Sequence, residues 1–175
     1  MRPAHFSTAL AIIALTLVAC TKGASPPPAP LPVDAGSAPI DDCTFETALV
    51  PGVPGSPGHL IASERNPNGA SELATLMRTF VADWRAARVT LEQDAGVAVA
   101  AKVPVHRRIR CSWPTDPGDR NPTFDSFAKN YVSAVKAFDA QPGRERYEGV
   151  LDACKACHEV SCGGPLEVIE GLRWK

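Results

Sequence analysis

No basic block of the kind that holds a phosphate backbone occurs in the chain, and 18 basic residues against 19 acidic ones leave a net charge of −1. A phosphate backbone is held by clustered cations, so nucleic acid is excluded as a partner. Apolar and polar residues nowhere alternate with period two over the length of a strand, which predicts an all-α chain. Long apolar stretches are missing too. The run at residues 10–18 (LAIIALTLV) is too short to cross a bilayer as a stable anchor, which takes about 20 residues. There is no internal repeat, no phosphate-binding glycine loop, no nucleophile beside a base and no carboxylate pair placed for acid–base work, so the chain is not expected to be an enzyme. Methionine is nearly absent: of the two, one is Met1 and the other is Met77. The 175 residues, 45% of them hydrophobic, suffice for one domain with its own core. Seventeen prolines seem too many for such a core until their crowding between residues 26 and 57 is noticed.

The N-terminus reads as an address. Arg2 followed by the apolar run has the form of a secretory signal. Leu17-Val18-Ala19-Cys20 resembles the lipobox of bacterial lipoproteins, which implies cleavage before Cys20 and a diacylglycerol on its thiol. A plain signal peptide with Cys20 near the cut by chance is the alternative. Acyl chains convert a soluble chain into an anchored one, each buried methylene adding roughly 0.8 kcal/mol. Thr21 follows the cysteine where aspartate would be the inner-membrane signal, so the resemblance places the chain at the periplasmic face of the cell envelope, anchored to the outer membrane. After this signal peptide (1–19), residues 20–42 form a proline-rich tether: positions 21–41 hold six prolines and almost no large apolar side chain, and cannot bury enough surface to offset chain ordering. Residues 43–70 are turn-rich and expected to be irregular. Residues 71–175 are the folded part.

Within it, Leu73, Leu76, Met77, Phe80, Val81, Trp84 and Leu91 recur at three- and four-residue steps, one buried stripe of a first helix over 71–91 with Ser71 as N-cap. A second, short or kinked helix is read at 94–109, weakened by Gly96 and Pro104. Asn121-Pro122 cap a third, with Phe124, Phe127, Tyr131, Val135 and Phe138 on one face. Pro142-Gly143 then breaks the chain before a fourth stripe of Tyr147, Val150, Leu151 and Cys154. Short connections favour antiparallel neighbours, so the expected fold is an antiparallel up-down four-helix bundle. In it Met77, about 9 Å into the first helix at 1.5 Å per residue, lies at the depth of His158, near the end of the last.

The segment Cys154-Lys155-Ala156-Cys157-His158 carries the chemistry. Two thiols three residues apart and a following histidine have the spacing for c-type haem attachment, the thiols adding to the porphyrin vinyls and the imidazole sitting under the iron. Export agrees with this, since such attachment takes place outside the bacterial cytoplasm. A thioredoxin-like pair would want a preceding strand in a βαβ setting. A zinc site could recruit Cys162 beside His158, Cys154 and Cys157, but one helix does not easily wrap four ligands around one ion. A Cys154–Cys157 disulfide would leave His158 unexplained.

A helical bundle with CxxCH in its last helix, and the aromatic Tyr147 in the turns before it, resembles the cytochrome c-prime family and its low-spin relatives. The resemblance covers residues 71 to 162. It implies one haem c per chain, covalently held by Cys154 and Cys157, with His158 as proximal iron ligand and a first-helix residue over the distal face. In the low-spin relatives that residue is methionine, and Met77 matches it, although most helical methionines are simply core. His106 and His59 are weaker candidates, His106 because it sits among Arg107, Arg108 and Arg110 and reads as a solvated surface residue. With two axial ligands the iron only passes electrons, and the expected partners are redox proteins of the cell envelope. Without Met77 a five-coordinate iron would suit small gases such as NO or CO. The resemblance also allows a homodimer through the first two helices.

Three features depart from the family. Cys162 stands where relatives often carry a basic side chain. Cys43, Cys111 and Cys162 remain after lipid and haem are assigned, an odd number that allows one disulfide. Cys111 and Cys162 share a pole of an up-down bundle and are the expected pair, with Cys43–Cys162 second. The tail, residues 163–175, runs past the usual end, and Leu166, Ile169 and Leu172 suggest a short helix capping the haem end.

Overall fold

The first helix starts where three backbone N–H groups that no helix can satisfy internally all find acceptors. Glu72 N–H donates to Gly55 O (3.1 Å) and Leu73 N–H to Trp113 O (2.9 Å), and Ala74 N–H to the Ser71 hydroxyl (3.1 Å), which makes Ser71 the N-cap. Gly55 has φ +90° and lies so close to Glu72 that a Cβ would strike its backbone, so only glycine fits there. The computed structural model describes residues 43–64, 66–93 and 99–174. The signal segment, Cys20 and the tether fall outside them.

Three long helices dominate: α1 (Glu72–Gln93), α3 (Pro122–Ala140) and α4 (Arg144–Ser161), with short α2 (Val103–Arg107) and α5 (Leu166–Glu170). Asn121 caps α3 through its side chain, accepting from Phe124 N–H at 3.0 Å, and Pro122 takes the first turn, where its missing N–H costs nothing. The connection 141–143 turns α3 back onto α4 as its antiparallel neighbour. Phe80, Trp84 and Leu91 of α1, Tyr131, Val135 and Phe138 of α3, and Tyr147, Val150 and Leu151 of α4 form one buried core.

Three expectations need correction. The chain is mostly helical rather than all-α: β1 (Ile61–Ser63) and β2 (Asn66–Ala70) form a two-stranded antiparallel sheet with Ile61 opposite Ala70 and Ser63 opposite Asn66. Its strands are too short to show an alternating pattern, and Pro67 and Gly69 in β2 disguise it further, which a strand without a second neighbour tolerates. The second helix is a single turn, Val103–Arg107, followed by a 3₁₀ turn at Arg108–Arg110; residues 94–98 lie outside the described set, and 99–102 are not helical. Pro104 sits in the first turn of that helix instead of kinking a longer one.

The disulfide joins Cys43 to Cys111, not Cys111 to Cys162. The expected pairing relied on a long second helix delivering Cys111 to the end of α4. With that helix reduced to one turn, Cys111 instead lies beside the N-terminal segment, Cα–Cα 5.8 Å from Cys43, within the usual range of roughly 4.4–6.8 Å. Cys162 remains a free, exposed thiol.

Candidate functional site

CKACH occupies the last turns of α4. Cys154, Cys157 and His158 stand at i, i+3 and i+4, so the helix presents them on one face. That face opens on an apolar cleft of about 690 Å³, a figure that includes the open space at its mouth. Met77, Phe80, Val81 and Trp84 of α1, Phe124, Phe127, Ala128 and Tyr131 of α3, and Leu151 of α4 also line it. The structure therefore gathers Met77, Cys154, Cys157 and His158 around one apolar space. Met77, Val81 and Cys154 are only half-buried despite belonging to helix stripes, because the neighbour they face is this cleft.

The tail closes one side. Pro165, Val168, Ile169 and Leu172 line the cleft, and Ile169 and Leu172 are buried. Side chains of α1 and α4 hold the tail there. Tyr147 Oη donates to Leu172 O at 2.9 Å, Arg88 Nη1 donates to the carbonyls of Leu172 and Arg173, and Arg173 pairs with Glu148 and Asp152.

His158 Nδ1 lies 2.9 Å from Cys162 O. A carbonyl can only accept, so Nδ1 carries the hydrogen, and in the neutral ring the lone pair sits on Nε2. Histidine ligands are commonly oriented by this kind of bond. Burial pushes the Cys154 thiol up to about 12 and raises that of Cys157. Attacking thiolates of thioredoxin-like pairs need the opposite shift. Among the described residues no three His, Cys, Asp or Glu side chains come together as a metal-binding group.

His106 is not on the surface. It is 1% exposed and stacks on Phe80 with ring centroids 4.4 Å apart. Its Nδ1 is 2.5 Å from Tyr131 Oη and its Nε2 3.6 Å from Asp83. In so short a helix no apolar period is readable, and the flanking arginines misdirect. It does not line the cleft, and neither does His59, which is exposed in a loop. Sequence reasoning did not identify Ile109, Phe127 or Pro165 as wall residues; for Phe127 the available signal was its place on the α3 stripe. Compared with protein-family models, with curated proteins and with solved structures, the chain matches none.

Proposed function

We propose that the cleft is a haem c site and that the chain is a monohaem c-type cytochrome, a carrier of single electrons in the bacterial cell envelope and not an enzyme. One observation carries this reading: Met77, far away in sequence, lines the same apolar cleft as Cys154, Cys157 and His158. The residues suit the group. The cleft's apolar walls would regain their lost burial against a flat macrocycle, its edge offers two thiols at attachment spacing, and His158 presents Nε2 as proximal ligand. Haem c supplies a one-electron couple whose potential a thioether ligand raises. Met77 is the proposed distal ligand. The tail and the rings of Phe80, Trp84 and Tyr131 keep water from the centre.

In this reading the fold is a relative of the cytochrome c-prime bundle with its second helix cut to a turn. The proposed location, lipid-anchored through Cys20 at the periplasmic face of the outer membrane and serving redox proteins there, rests on the N-terminal sequence. Among the described residues no helix is long and apolar enough to cross a membrane. The wall's apolar character also accommodates a second reading, a five-coordinate centre for NO or CO. Absorption spectra of the reduced protein with and without carbon monoxide separate the two. The carrier reading expects no response in the wild type and a clear one in Met77→Ala; an immediate wild-type response contradicts it.

A further inference from the structure

Besides His158, two rings of the cleft wall carry a polar atom, those of Trp84 and Tyr131, and both atoms are engaged behind the wall. Trp84 Nε1–H donates to Tyr131 Oη at 3.1 Å, and Tyr131 Oη is 2.5 Å from Nδ1 of His106, which stands behind the wall and does not line the cleft. Counting protons settles the wiring. The indole N–H can only donate, so it takes one lone pair of the hydroxyl. Burial holds the imidazole neutral, with its pKa lowered to about 4, so it has a single hydrogen. Nε2 faces Asp83 Oδ2 at 3.6 Å, longer than a hydrogen bond; that oxygen is buried with no hydrogen-bond partner among the described residues, its fellow being paired with Lys102, so a hydrogen on Nε2 is the arrangement that carboxylate favours. Nδ1 is left with its lone pair and receives the Tyr131 O–H. In the reverse wiring that hydroxyl hydrogen would have no acceptor among the described residues and would turn toward the mainly apolar cleft, an arrangement folded chains avoid for a buried donor. Phe80 stacks against both His106 and Tyr131 and clamps the pair.

We infer that His106 is a positioning residue for the cleft: by accepting the Tyr131 hydroxyl hydrogen behind the wall, it keeps that donor turned away from the bound group and so sets the electron affinity of the centre. This rests on the reading of the cleft as a redox site. A hydroxyl turned inward would aim the positive end of its dipole at the centre and favour the reduced form. Turned outward, it does not.

Two measurements test the assignment. Nitrogen NMR of the histidines in the full-length reduced protein should find His106 protonated at Nε2 and bare at Nδ1 at neutral pH. The opposite tautomer overturns the inference whether or not haem is present. Reduction potentials should then rise in His106→Leu, shifting the redox equilibrium about tenfold, which is roughly 59 mV for a one-electron couple. His106→Gln, with an amide oxygen to accept the bond, should stay near wild type, and adding Tyr131→Phe to His106→Leu should abolish the shift. If the shift survives without the Tyr131 hydroxyl, His106 is a packing residue only. A chain without covalent haem defeats the cytochrome reading and the role at the centre together, while the tautomer still decides the wiring.

Discussion

Lowering the pH from 6.5 towards 4 puts a proton on His106 in the unfolded chain but not in the folded one, where burial, working against the attraction of Asp83, lowers its pKa to about 4. Above 6.5 the ring is neutral in both states and contributes no pH dependence. As pH falls, the unfolded chain gains the proton first, and each pH unit removes about 1.4 kcal/mol of stability. The loss reaches about 3 kcal/mol near pH 4 and is constant below it, where both states are protonated. A loss of that size is a sizeable part of the ~5–15 kcal/mol that holds a typical domain together. Carboxylates titrate in the same window, so the assay is a comparison: urea unfolding across this range for wild type and for His106→Gln. The variant loses a buried ring at every pH, but its profile lacks the imidazole's slope, and the difference between the curves should shrink by about 3 kcal/mol from pH 6.5 to 4. Parallel curves would refute the burial of a neutral His106 and, with it, the Trp84–Tyr131–His106 wiring.

Other parts of the fold yield smaller predictions. Replacing both Cys43 and Cys111 by serine opens a loop of sequence separation 68 and should cost about 4 kcal/mol in unfolding experiments, whereas Cys162→Ser should leave stability within about 0.5 kcal/mol of wild type, as for an exposed surface substitution. Asn121→Ala removes the side-chain acceptor at the start of α3 and should cost about 1 kcal/mol in the same measurement. Tyr147→Phe deletes the bond to Leu172 O; it should cost about 1 kcal/mol and speed amide exchange across residues 169–172, while unchanged exchange would mean that the arginine contacts alone hold the tail.

The long helices were legible because their signals are local. Ser71 and Asn121-Pro122 cap the helices they were expected to cap, and the stripes of α1, α3 and α4 have the period of the faces that are buried. Pro104 was misread because proline is compatible both with a kink inside a helix and with a helix start, and only the path of the neighbouring chain decides between them. The pairing of Cys43 with Cys111 depends on that same path, so an error of a few helical turns in the second helix became an error in the disulfide. Of the site, CKACH was readable as spacing and Met77 as a member of a stripe. The cleft that gathers them was not, since half-buried stripe residues look like any others until a void is seen beside them. His106 was hidden among arginines because one residue of a single-turn helix carries no periodic signature of burial.

The central claim, covalent haem on Cys154 and Cys157, is tested most directly by a pyridine haemochrome assay. It would be made on full-length protein expressed with haem-maturation factors and then denatured, beside the Cys154→Ala/Cys157→Ala variant. The account predicts one haem per chain that stays with the denatured wild type and is absent from the variant. Wild-type protein that is exported with both thiols intact and still carries no covalent haem would contradict it.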